Sequence, residues 1–230
     1  MKILAIETSH RIGSIAAADG PNLLAEESFQ EGMVHGRELV PRMKALVERI
    51  GWSPSSVELI AVSIGPGSYT GLRVGVTAVK TMAYGAGAAV VAVPSLDVLA
   101  HNAPTSAAGV CPVVDAKRKQ VYTCLYDGER RRQGEYRVAY PEELARGLAR
   151  GAFILGDGLE QYAAVFNRDG IVIADESLWR PRAAIVARLG YELYTSGQRE
   201  DYMSLVPMYL RRPVAEDKWR ERVERAGGSK

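Results

Sequence analysis

The sequence predicts an α/β chain in which one layered unit occurs twice. Two observations carry this. The order of strand and helix patterns over residues 1–102 is β-β-β-α-β-α-β-α, and the same order recurs over residues 110–196. Between the copies lies Ala103-Pro104-Thr105-Ser106-Ala107-Ala108-Gly109, a stretch of small, turn-forming residues. Three strands of an antiparallel meander followed by two helix-linked strands make one mixed five-stranded sheet with helices on its faces. The expected division is a lobe at 1–106, a lobe at 107–210 and a charged tail at 211–230.

In the first unit, Ile3–Thr8, Ser14–Ala18 and Leu23–Phe29 are short apolar runs separated by turn residues. Leu39, Met43, Leu46, Val47 and Ile50 recur at the spacing of one helical face, with Arg37, Lys44 and Glu48 largely opposite. Pro41 belongs in that helix's first turn or kinks it, and Gly51 stops it. Leu59–Ile64 reads as a buried strand. It runs into Ser63-Ile64-Gly65-Pro66-Gly67-Ser68-Tyr69-Thr70-Gly71-Leu72-Arg73-Val74-Gly75, where four glycines and a proline demand a sharp turn and a close backbone approach. A helix from about Thr70 to Tyr84, N-capped by Ser68 or Thr70, follows. A strand at Ala89–Val93 and a helix at Ser95–Asn102, with Ser95 as N-cap, end the unit.

The second unit reads as strands at Val110–Asp115, Gln120–Tyr126 and Gly134–Ala139, with a basic turn at Ala116–Lys119. A helix over Pro141–Arg150, a strand at Phe153–Leu155, the turn Gly156-Asp157-Gly158 and a helix at Leu159–Phe166 come next. A strand at Ile171–Ala174 and a helix at Arg182–Ser196 close it.

At 230 residues and 47% hydrophobic, the chain can bury a proper core. Its 29 basic and 27 acidic residues leave a net charge of +2, which does not by itself argue for nucleic acid. The clusters Lys117-Arg118-Lys119, Arg130-Arg131-Arg132 and Arg211-Arg212 read first as solvated surface, with a nucleic-acid footprint as the minority reading. Two cysteines, Cys111 and Cys124, fit a reduced, cytoplasmic setting rather than a disulfide scaffold. Glu7 interrupts the apolar start too early for a signal peptide, and no apolar run approaches the ~18 residues of a membrane span.

Two such sheets facing a cleft describe the actin-like architecture, in which a nucleotide sits between the lobes and the first hairpin of each lobe points at its phosphates. Thr8, Ser9 and Gly13 occupy that place in the first lobe, Asp115 in the second, and Gly156 and Gly158 could admit a base. Each has a plainer reading as hairpin, strand-end or βα-turn chemistry. The three histidines, His10, His35 and His101, form no helical pair, so a catalytic metal site is not expected. No Gly-x-Ser-x-Gly elbow supports a Ser-His-Asp centre drawn from His35 or His101.

Beyond this reading, Ile3-Leu4-Ala5-Ile6-Glu7-Thr8-Ser9, the glycine stretch 65–75, Val93-Pro94-Ser95-Leu96, Asp115-Ala116-Lys117 with Val121-Tyr122, and Pro207-Met208-Tyr209-Leu210-Arg211 resemble the TsaB (YeaZ) family. The match runs in order over nearly the whole chain, and the glycine stretch is its most specific part. The resemblance implies a duplicated actin-like (ASKHA) fold. It also implies a non-catalytic scaffold and dimerisation subunit for threonylcarbamoylation of adenosine 37 in tRNAs reading codons that begin with A. Its partners would be a TsaD-like catalytic subunit and a TsaE-like ATPase, with a homodimer when alone and tRNA met indirectly through the complex. No cofactor would be required, with ATP or ADP bound weakly at most. Carried over, the partner interface falls on the helices bearing Leu39, Met43, Leu46 and Val47, and Leu72, Arg73, Val76, Val79 and Met82. The alternatives are an autonomous actin-like ATPase or phosphotransferase and, behind it, a glycoprotease-like metallopeptidase. Within the glycine stretch, Gly67, Gly71 and Gly75 are expected to serve packing, and Arg73 to make a specific polar contact.

Overall fold

The computed structural model describes residues 1–29 and 35–211. The side chain of His35, Trp219 and the expected tail beyond Arg211 lie outside the described residues.

The first lobe opens with β1 (Lys2–Glu7), β2 (Ser14–Asp19) and β3 (Asn22–Ser28), paired antiparallel in sequence. The chain then forms α1 (His35–Arg49), β4 (Leu59–Gly65), α2 (Tyr69–Ala86) and β5 (Ala89–Pro94). Strands β4 and β5 add parallel to β1, giving the order β3-β2-β1-β4-β5. The apolar faces of α1 and α2 cover one side of this sheet. Leu39, Met43, Leu46, Val47, Val76 and Val79 pack there against Leu4, Ile6, Ile60 and Val62. Pro41 lies inside α1 rather than in its first turn.

After α3 (Ser95–Ala100), the second lobe repeats the plan with β6 (Gly109–Asp115), β7 (Val121–Thr123), β8 (Tyr126–Asp127) and β9 (Arg137–Ala139). It continues with α4 (Pro141–Gly147), β10 (Ala152–Leu155), α5 (Leu159–Phe166), β11 (Val172–Ile173) and α6 (Ala183–Thr195). Its order, β9-β7-β6-β10-β11, matches the first sheet strand for strand, and β8 adds to β6. The expected strand Gln120–Tyr126 is split into β7 and β8. β7 pairs with Val113–Asp115 and β8 with Gly109–Val110, while Pro112 between them has no N–H to give the ladder.

The third helix of each unit crosses to the other lobe. Leu96, Leu99 and Ala100 of α3 pack with Val110, Tyr126 and Leu155. Ala183, Val186, Ala187 and Leu189 of α6 cover Ile3, Ala5, Leu59, Ala61, Val91 and Val93, the second face of the first sheet. So residues 183–195, which the sequence places in the second lobe, complete the first. The apolar second face of that sheet needs a cover, and α6 is the helix that supplies it. Ser95 does not cap α3. Its Oγ accepts from the Gly65 N–H at 2.9 Å and bonds Ser63 Oγ at 2.7 Å, tying the end of β4 to α3.

Candidate functional site

The glycine stretch folds over the end of β1. Ser68 N–H donates to the Ser9 carbonyl at 2.6 Å, and Ser68 Oγ caps α2 by accepting from the Gly71 N–H at 3.2 Å. Side chains at 67, 71 or 75 would bring a Cβ inside 3.0 Å of the Ser9 carbonyl, the Thr8 carbonyl and Thr8 Oγ1 respectively. Gly71 and Gly75, one turn apart on α2, and Gly67 in the turn before it let α2 lie on the backbone at the end of β1. They are packing residues, as expected.

That packing bears on a nucleotide. Thr8 and Gly13 are buried, and Ser9 is only 5% exposed. Gly156 and Gly158 are buried against the Val113 carbonyl and serve the same close-packing purpose. Asp115 accepts from the Lys117 N–H at 2.7 Å, pairs with Lys117 Nζ at 2.5 Å and accepts from Gln161 Nε2 at 3.2 Å. Of the six residues expected to hold ATP or ADP, Ser9 and Asp115 line the cleft between the lobes, and Thr8, Gly13, Gly156 and Gly158 do not.

A cavity of about 830 Å³ nonetheless lies between the lobes. His10 and Arg11 reach it from the first lobe, Asp115, Asp157 and Glu160 from the second. Arg11 and Glu160 bridge the lobes at 2.6 Å. His10 Nδ1 accepts from the Ile12 N–H at 3.2 Å, which places the neutral ring's proton on Nε2. That nitrogen stands 3.4 Å from Asp157 Oδ2 without a hydrogen bond. Burial, reinforced by Arg11, lowers the His10 pKa to about 4, while burial raises that of Asp157. No local sequence signal marks this pair, because its members are far apart in the chain.

One wall of the cavity is a strap near the end of the described chain. Leu205 is anchored in the first core, and Met208 N–H donates to the Ile64 carbonyl at 2.7 Å. Tyr209 stacks on Tyr69 with centroids 5.2 Å apart, and Arg73 lies 5.0 Å over the Tyr69 ring. Arg211 reaches the second lobe, donating to the Ala116 carbonyl at 2.9 Å and to the Gln120 side chain. It thereby braces a hairpin in which Lys117, Arg118 and Lys119 all have left-handed backbones, with φ of 60°, 54° and 60°.

Most of the helical residues expected at a partner interface are buried within this chain. Leu39, Met43, Leu46, Val47, Leu72, Val76 and Val79 are at most 4% exposed, and all of them but Leu72 pack into the core beneath the chain's own sheet. Met82 is half-buried, and Arg73 is exposed. The outward surface of these helices carries Val40 at 51% and Tyr84 at 79% exposure instead. No three His, Cys, Asp or Glu side chains converge as a metal site would require among the described residues. Burial pushes the Cys111 thiol up to about 12, far from a reactive thiolate. No helix among the described residues is long and apolar enough to cross a membrane.

The chain and its fold find counterparts among known proteins. The chain is 32% identical over 234 residues to the tRNA threonylcarbamoyladenosine biosynthesis protein TsaB of Bacillus subtilis, covering 96% of this chain and 99% of that protein. The chain belongs to the TsaB family. The Escherichia coli TsaB is 26% identical over 94% of this chain and 96% of its own. A solved structure of YeaZ from Pseudomonas aeruginosa superposes with a TM-score of 0.80 at 26% identity, covering 91% of this chain and 99% of that one. A family model described as TsaD, tRNA N6-adenosine threonylcarbamoyltransferase, matches residues 32–163. The activator of the 2-hydroxyisocaproyl-CoA dehydratase from Clostridium difficile, solved with ADPNP, superposes with a TM-score of 0.50 at 10% identity and shares the actin-like fold alone.

Proposed function

We propose that this chain is a non-catalytic subunit for threonylcarbamoylation of adenosine 37 in tRNAs that read codons beginning with A. The observation that carries the reading is the full-length identity to the Bacillus subtilis TsaB. The absence of a converging metal-ligand set among the described residues supports it over a metallopeptidase. Thr8, fully buried under the glycine turn, supports it over an autonomous ATPase.

In this reading the chain docks on a TsaD-like catalytic subunit through the outward faces of α1 and α2, and pairs with a second copy of itself when alone. A TsaE-like ATPase joins the assembly. The test is complementation of cells lacking their own TsaB, with the modified nucleoside quantified by mass spectrometry. Restoration of the nucleoside, with no turnover by the purified chain alone, is the expected result. Modification by the chain without a catalytic partner would sink the proposal.

A further inference from the structure

One rim of the interlobe cavity carries an exposed basic turn that includes Lys117 and Arg118. Arg11, Lys117, Arg118 and Arg211 line the cavity, against three carboxylates, Asp115, Asp157 and Glu160, with Arg11 paired to Glu160 and Lys117 to Asp115. Lys117, Arg118 and Lys119 are exposed, and their three consecutive left-handed backbones are ones that non-glycine residues adopt only when the surroundings enforce them. The Arg211 brace is one such enforcement.

Beside these cations stands an aromatic step. Tyr69 and Tyr209 stack on each other while remaining 40% and 42% exposed, and Arg73 covers the Tyr69 ring. Exposed basic side chains next to a half-exposed aromatic ring are how single-stranded nucleic acid is held without base readout. Cations take the phosphates, and each unstacked base finds a ring. A duplex keeps its bases stacked and has none to offer. An acidic peptide would satisfy the cations and leave the tyrosines unused.

From this we infer that the cavity mouth binds single-stranded RNA, with Arg118 and Lys119 on the backbone and Tyr209 as the stacking platform. The inference deepens the proposed function, and rests on it only for RNA being the strand met in the cell.

The probe is a fluorescently labelled single-stranded RNA of about twelve nucleotides, long enough for sites of this kind. It is titrated with the purified full-length chain and followed by anisotropy. Neutralising three phosphates on a single strand gives a log–log salt slope near −2, so raising salt from about 50 to about 200 mM should weaken binding roughly 20-fold. The Arg118→Ala, Lys119→Ala double variant should flatten that slope to about −0.7. Tyr209→Ala should cost roughly tenfold on the single strand and nothing on a duplex of the same length, while Tyr209→Phe retains binding. Thermal melts of each variant check that it is folded. No binding at low salt, an unchanged slope in the double variant, or equal competition by polyglutamate would overturn the inference. A chain that restores the nucleoside in cells but ignores the probe fails this inference alone. One that binds the probe without restoring the nucleoside fails the proposed function alone.

Discussion

Residue 71 is glycine because of Thr8. The Thr8 carbonyl oxygen occupies the space a Cβ at 71 would need, and that oxygen belongs to backbone at the end of the first strand, which cannot swing aside. We expect Gly71→Ala to destabilise the chain by about 3 kcal/mol, the upper range for forcing an atom into a filled core. For a chain of this size that lowers the melting temperature by about 6–12 °C. Gly85 in the same helix has nothing within 4 Å, so Gly85→Ala should instead stabilise by roughly 0.5–1 kcal/mol. Equal shifts in the two melting curves would refute the close-packing account.

The outward surface of α1 and α2 gives a second prediction. Val40 and Tyr84 are exposed, and surface substitutions away from special features stay within about 0.5 kcal/mol. A Val40→Asp, Tyr84→Asp variant should therefore melt like the parent. At an interface centre its capture by a TsaD-like partner should fall about 30-fold, the scale of a hot-spot loss near 2 kcal/mol. Met43→Asp should behave differently. Met43 is fully buried, so its aspartate unfolds the lobe before any docking is tested. Undiminished capture by the double variant would move the interface elsewhere.

His10 sets a pH dependence. Its folded-state pKa, about 4, lies below the ordinary value of 6.5. Between those values the unfolded chain binds a proton that the folded chain does not. Stability from this group is complete above pH 6.5 and is lost as pH falls towards 4, on the order of 3 kcal/mol across the full window. Urea unfolding at pH 7 and pH 5 measures it. His10→Asn, which retains an acceptor for the Ile12 N–H, should show a distinctly smaller drop than the parent. Identical drops would remove His10 as the cause.

Nucleotide is the fourth. With Thr8 and Gly13 sealed and Gly156 and Gly158 closed on the Val113 carbonyl, titration of Mg-ATP or ADP into the purified chain should give no calorimetric binding signal at micromolar concentrations. Saturable micromolar binding lost in Asp115→Asn would restore the nucleotide reading.

Much of the architecture was legible because it is periodic. The five-residue face from Leu39 to Ile50 and the repeated meander follow from local patterns that the structure keeps. What those patterns could not say is which neighbour each face meets. Leu39 and Met43 look equally apolar whether they face a sheet or a partner, and here the sheet takes them. Gly71 announces a close approach without naming Thr8. His10 and Asp157 meet only because two lobes face each other, and no local signal marks such a pair. Ser95 sits where a cap is usual, yet the nearby Ser63 and Gly65 claim its hydroxyl. Pro112 was visible in the sequence and did carry the signal for the break between β7 and β8.

The helix exchange between lobes has a consequence for synthesis. The first sheet has all its strands once Pro94 has emerged, but its cover, α6, ends at Thr195. At ~5–20 residues per second, about 5–20 s pass with Ile3, Ala5, Leu59, Ala61, Val91 and Val93 uncovered. The lobe that is translated first is thus the one that matures last. Ribosome-bound chains stopped at residue 180 should be cut by protease within the first sheet, whereas chains stopped well beyond Thr195 should resist, and equal resistance would contradict this order of events.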